Sequence, residues 1–188
     1  INIGFSRIQF TPDLMPSDVI GTTVYNMKTT EFTFNEGPVF SNIILIDEIN
    51  RAPAKTQAAL FEVMEEHQVT VDGNTYPMAF PFFVIATQNP IEQEGTYKLP
   101  EAQLDRFLIK INLNYPSLEE ELAILKRFKN DFKILARKEV DAVFSAAEIM
   151  ECQELVEQVY IEEAQLEYIA KIIHDTRNNG DLFLGASP

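Results

Sequence analysis

The sequence predicts an α/β fold, a parallel sheet flanked by helices and followed by a purely helical segment. Three observations carry this expectation. Ile43-Ile44-Leu45-Ile46 is a short all-apolar run, as in a strand buried on both faces of a parallel sheet, and it ends in two adjacent carboxylates, Asp47 and Glu48. Phe82-Phe83-Val84-Ile85-Ala86-Thr87 is a second such run, ending at Gln88-Asn89-Pro90. Beyond Tyr115-Pro116-Ser117 the apolar residues recur only at helical spacing.

The elements follow in chain order. Four core strands are expected: Ser6–Phe10, Ile43–Ile46, Phe82–Thr87 and Leu108–Leu113. Between the first two, Val24 to Phe34 alternates aromatic and polar residues around a turn, the pattern of a hairpin. After Glu48, the stretch Ile49-Asn50-Arg51-Ala52-Pro53 leads into a helix, because proline sits well in a first turn where its missing N–H costs little. Leu60, Val63 and Met64 form that helix's apolar stripe, with Glu62, Glu65 and Glu66 off it. Alternation around Asp72-Gly73 predicts a second hairpin over Val69–Tyr76.

In the helical part, Ser117 and Glu120 have capping-box spacing, with Leu118, Leu122 and Leu125 behind them. Further helices are expected from about Ser145, with Leu155, Val156 and Val159, and over about Glu162–Arg177, with Leu166, Ile169, Ala170 and Ile173. Such stripes ordinarily pack into a core. The connection Phe128–Val140 carries Lys129, Lys133, Arg137 and Lys138, with Arg127 just before it, and reads as a solvated link first and a partner contact second. The domain division is therefore 1–115 for the α/β core and 116–188 for the helical part.

Strand ends carry the chemistry. Ligands of parallel sheets bind at the carboxyl ends of the strands. Asp47 there can hold Mg²⁺ bound to a nucleotide, and Glu48 can polarise a water for attack on a γ-phosphate. This is the form of a Walker B motif followed by a catalytic glutamate. The competing reading is an acid that caps the next helix. Asn89, at the end of a neighbouring strand, can orient the attacking water; otherwise it is a turn residue before proline.

Composition limits the alternatives. A net charge of −14 argues against a general nucleic-acid clamp, which needs a basic face, but not against ATP. The one cysteine, Cys152, excludes an internal disulfide and fits a reducing, cytoplasmic setting. No run of 18 apolar residues marks a membrane span, and no secretory signal is present. His67 and His174 lie far apart on expected helices and are not read as metal ligands.

The segments IILIDEINRAPAKTQAALFEVMEEHQVTVDG and FFVIATQNPIEQEGTYKLPEAQLDRF closely resemble the AAA+ ATPases of the MoxR type. So do RIQFTPDLMPSDVIG near the start and LGASP at the end, so the resemblance runs from about Phe5 to Pro188. It implies an AAA+ P-loop NTPase-like parallel sheet flanked by helices, then an all-helical lid subdomain. It also implies ATP and Mg²⁺ as ligands, in a ring, a hexamer by analogy. In that family Asp47 would be the Walker B acid holding Mg²⁺ through water, Glu48 the catalytic base, and Asn89 the sensor-1 residue. Arg106 would be the arginine finger acting on a neighbour's nucleotide; by itself it reads as a surface ion-pair former. The Val24–Phe34 hairpin would face the ring pore or a substrate, with Tyr25, Met27 and Phe32 as contacts, and the partners would be protein clients, some with a von Willebrand factor A domain.

Two departures stand against the full pattern. No G-x-x-x-x-G-K-[ST] occurs in the chain: Gly180 and Gly185 have the glycine spacing, but Ala186-Ser187 follow. The sensor-2 arginine expected after Gly-Ala-Ser-Pro would lie past Pro188. The resemblance puts the phosphate loop before Phe5, behind a strand in the middle of the sheet, so these residues are expected to be part of a longer protein. A central strand cannot be absent without leaving core backbone groups unpaired. The rival reading is a non-catalytic assembly module that binds no nucleotide. A Ser/His/Asp or Cys/His hydrolase set finds no supporting context.

Overall fold

The computed structural model describes residues 1–89, 97, 99–130, 141–182 and 185–186. Three strands, β1 (Phe5–Gln9), β4 (Ile43–Asp47) and β7 (Phe83–Ala86), form a parallel sheet in the order β1-β4-β7. Register sets Gln9 beside Asp47 and Ile46 beside Ala86. The carboxyl ends of all three strands therefore meet along one edge.

Two hairpins stand outside this sheet. The first pairs β2 (Gly21–Asn26) with β3 (Glu31–Glu36) and sets Tyr25 opposite Phe32, with ring centroids 5.0 Å apart. Its root requires Gly21: φ is 101°, and a Cβ there would lie 2.3 Å from the Asn35 carbonyl oxygen. The second pairs β5 (Gln68–Val71) with β6 (Asn74–Pro77). Asp72 and Gly73 both take positive φ, as the expected two-residue turn demands. Phe34 of the first hairpin stacks on Tyr76 of the second at 4.2 Å.

Helices α1 (Pro16–Ile20) and α2 (Ala54–Glu66) cover one face of the sheet. Val19 from α1 and Leu60, Phe61 and Val63 from α2 join Ile8, Ile44 and Ile46 in one buried cluster. The α2 stripe is as expected, with Glu62, Glu65 and Glu66 exposed. Its buried Gln57 donates to the carbonyls of Ile49 and Ala52, both at 3.1 Å, so the turn entering the helix leaves neither oxygen unpaired. At the far end His67 adopts a left-handed conformation and donates its N–H to Val63, a common way to stop a helix.

The opposite face of the sheet differs from expectation. Phe83 is 54% exposed and Ile85 45%, while Ile43 and Leu45 are only half buried. Among the described residues no helix covers this face, so β4 and β7 are buried on one side instead of two. The expected fourth strand is also not formed: Leu108 to Leu113 is irregular, with Leu108 93% and Leu113 92% exposed. A strand exists only through a partner's ladder. Among the described residues the 108–113 segment pairs with no strand.

The chain forms two compact units, Ile1–Ala146 and Ala147–Pro188. The first unit also holds α3 (Glu101–Leu104) and α4 (Leu118–Asn130). The capping box at α4 closes as expected: Glu120 accepts from Ser117 N–H at 2.7 Å and Ser117 Oγ at 2.9 Å. These bonds to the ionised form hold Glu120 below its ordinary pKa. The second unit contains most of α5 (Ala146–Glu157) and all of α6 (Glu163–Asn178). Against expectation, the stripes of the last three helices are not core: Leu118, Leu125, Leu155, Val156 and Leu166 are all exposed. At the end of α6 the chain folds back, with Ala186 N–H bonded to Thr176 Oγ1 at 2.9 Å and Arg177 Nε to the Ala186 carbonyl at 3.1 Å. Lys133, Arg137, Lys138, Pro90, Ser187 and Pro188 lie outside the described residues.

Candidate active site at the strand ends

Asp47 is the last residue of β4, and its carboxylate meets two neighbours. Oδ2 accepts from Arg7 Nε of β1 at 2.6 Å, and Oδ1 faces the Thr87 hydroxyl beyond β7 at 3.4 Å. Glu48 follows in a left-handed conformation, φ 55° and ψ 50°, uncommon for a residue with a side chain. Its N–H donates to Thr87 Oγ1 at 3.0 Å. Its Oε2 accepts from both Gln9 Nε2 and Arg51 NH1, each at 3.0 Å.

Asn89 is joined to the same turn through its backbone. The buried Asn50 side chain donates from Nδ2 to the Asn89 carbonyl at 3.0 Å and accepts from the Asn89 N–H at 3.4 Å. The Asn50 carbonyl also accepts Tyr97 N–H at 2.6 Å. Further along β7's exit, Ile49 N–H bonds the Thr87 carbonyl at 3.0 Å and Thr87 N–H bonds Ile46 at 2.8 Å. Residues 46–50 and 87–89 are thus laced into one unit, and Asp47, Glu48 and Asn89 stand together.

Arg106 stands apart. It follows α3 and forms an ion pair with Glu65 in the last turn of α2, while the next residue, Phe107, packs edge-on against Phe61 at 6.1 Å. Glu48 precedes the start of α2. Glu65 lies eleven positions after Ala54, a rise of about 17 Å along a helix axis. The structure does not bring Arg106 to Asp47 or Glu48 of its own chain.

No motif in the sequence marks Arg7, Gln9, Arg51, Asn50 or Thr87. Gln9 and Arg7 lie some forty positions before their partners, and only parallel pairing reveals them. Arg51 and Asn50, directly after the acids, were within reach of a local reading.

Among the described residues no three His, Cys, Asp or Glu side chains cluster as they would around a metal ion. Asp47 offers a single carboxylate at the strand end, a contribution of the kind Mg²⁺ accepts when water and phosphate oxygens complete its shell.

The profile of the ATPase family associated with various cellular activities (AAA) matches residues 1–109. The chain belongs to this family. Its AAA relatives include the protein YeaC of Bacillus subtilis, 50% identical over all 188 residues and 58% of that protein, and the chaperone MoxR1 of Mycobacterium tuberculosis, 49% identical over 92% of this chain and 45% of that one. A crystal structure of an inferred ATPase from Cytophaga hutchinsonii is 45% identical, with a TM-score of 0.82 over the whole chain and 58% of that structure. This is a MoxR-type AAA+ chain with an AAA+ α/β fold. It spans about half the length of the curated relatives it matches. Among the described residues no helix is long and apolar enough to cross a membrane.

Proposed function

We propose that this chain is the Walker B and lid portion of a Mg-dependent ATPase whose hydrolysis remodels partner proteins in a chaperone-like way. One observation carries the reading: parallel register gathers Asp47, Glu48 and Asn89 at one edge and leaves Arg106 a helix length away. Three of the four roles are then filled within a subunit and the fourth by a neighbour.

Glu48 takes a proton from the attacking water, and its reach is limited by Gln9 and Arg51 on the same oxygen. Asn89, fixed by Asn50, orients that water. Asp47 offers Oδ1 for a metal held through water, while Arg7 occupies Oδ2. Magnesium, when bound, would supply positive charge to the phosphate oxygens. Arg106 of an adjacent copy would stabilise charge developing on the γ-phosphate, a contribution of roughly 10³–10⁵ in rate in related systems. This requires a ring, a hexamer by analogy. The phosphate loop is not within these 188 residues, so ATP binding is assigned to the whole protein.

In this reading 1–115 is the nucleotide-binding core and 116–188 the lid. The exposed tip of the first hairpin, where Met27 is 83% exposed and Phe32 73%, would contact the client. Clients with a von Willebrand factor A domain and a cytoplasmic setting belong to the same proposal.

Two measurements test it in the protein isolated from its cells. An intact mass above 21.4 kDa, with a phosphate loop ahead of Phe5, is expected. Glu48→Gln should abolish turnover and spare ATP binding. A mass of 21.4 kDa with no ATP binding would favour the non-catalytic assembly module instead.

A further inference from the structure

Thr87 carries no role in the reading above, yet its position is singular. Its one hydroxyl accepts the Glu48 N–H at 3.0 Å and faces Asp47 Oδ1 at 3.4 Å. A hydroxyl has one proton and two lone pairs, so it can do both at once. Its backbone is bound on each side as well, N–H to Ile46 and carbonyl to Ile49 N–H. The side chain is therefore not free to drift relative to β4. Glu48 meanwhile needs an external grip: its φ of 55° is a conformation that residues with a Cβ leave unless the surroundings hold them there. The Thr87 hydroxyl accepts the Glu48 N–H and supplies such a grip.

We infer that Thr87 is a positioning residue whose hydroxyl sets the geometry between the metal-holding and water-activating carboxylates, by pinning the Glu48 backbone in its left-handed conformation and orienting Asp47. The inference rests on the ATPase reading for its consequence in catalysis. Its structural half, the grip on Glu48, stands on the bonds alone. Without the hydroxyl, Glu48 can relax toward an ordinary backbone conformation, and its carboxylate then swings away from where the water must sit. Misplacement of a catalytic group by about 1 Å costs on the order of 10²-fold in rate.

The test compares Thr87→Val, which keeps shape and removes the hydroxyl, with Thr87→Ser, which keeps the hydroxyl. Both are made in the whole protein beside Glu48→Gln. Thr87→Val should lower kcat for ATP about 10²-fold, with KM and nucleotide affinity within a few-fold, and Thr87→Ser should restore most of kcat. Amide exchange at Glu48 should quicken in the valine variant and not in the serine variant. A residue that only holds up the fold would instead lower nucleotide affinity and thermal stability along with kcat, in both variants. Valine turnover equal to the unsubstituted protein, with Glu48→Gln inactive, overturns the role of Thr87 and leaves the ATPase reading intact. Full turnover by Glu48→Gln overturns the role of Glu48 as base, and with it the catalytic role of Thr87, whereas no ATP hydrolysis by the unsubstituted whole protein overturns the ATPase reading itself.

Discussion

Arg106 and Glu65 form an ion pair at the far end of α2 from Glu48. The pair is surface-exposed, and such pairs contribute little to stability. Its interest is positional. Phe107, packed on Phe61, holds the segment against α2, and the guanidinium next to it is presented on the outer surface.

A finger that serves a neighbour gives a distinctive mixing result. Arg106→Ala alone and Glu48→Gln alone should each be nearly inactive, down by about 10³-fold or more. Mixed before assembly, they should recover measurable turnover, because a subunit with an intact Glu48 can sit beside one with an intact Arg106. Steady-state phosphate release across mixing ratios reads this directly. A mixture as inactive as its components would mean that Arg106 acts within its own subunit or not at all.

In the proposed site Arg7 and a divalent ion would draw on one carboxylate. The guanidinium takes Oδ2 of Asp47 at 2.6 Å and offsets part of the negative charge that would attract an ion on the Oδ1 side. Arg7→Ala should lower the Mg²⁺ concentration for half-maximal turnover several-fold. The same change should move stability by no more than about 1 kcal/mol, since the Arg7 side chain is 65% exposed. Magnesium titration and a denaturant melt check the two halves separately. An unchanged Mg²⁺ requirement would show that Arg7 does not weaken the hold of Asp47 on the ion.

The Ser117–Glu120 box makes the start of α4 sensitive to acid. Hydrogen bonds from Ser117 hold Glu120 below its ordinary pKa in the folded chain. A group whose folded pKa is depressed stabilises fully above its unfolded value and loses that contribution as pH falls through the folded one. The first turn of α4 should therefore fray in acid, below the usual carboxylate range, and remain intact at neutral pH. Ser117→Ala should move the Glu120 titration up toward the ordinary value. Side-chain NMR titration of Glu120 measures both, and identical curves for the two proteins would mean that the box does not persist in solution.

Much of this molecule is legible in its sequence because the signals are local. The apolar runs before Asp47 and before Asn89 announce strands whose ends face a ligand. Asp72-Gly73 announces its turn, since only certain residues accept two successive positive φ angles. Ser117 and Glu120 announce a helix start through bonds spanning three residues. Leu60 and Val63 declare the inner face of α2.

Other features depend on partners distant in sequence. Apolar content in 108–113 reads as a strand, yet the segment is irregular and exposed because a ladder needs a neighbour, whatever the propensity. Phe83 and Ile85 look like core residues and stand half in solvent for lack of a covering helix among the described residues.

The sequence by itself determined β1, β4 and β7, the hairpins, the helix starts and the two carboxylates at the end of β4, each through spacing over a few residues. Only the tertiary structure decided what those carboxylates touch. Parallel register carried Arg7, Gln9 and Thr87 to Asp47 and Glu48 from about forty positions away on either side. It also placed Arg106 beyond their reach, because contacts between distant segments are set by how the elements pack and not by any local pattern.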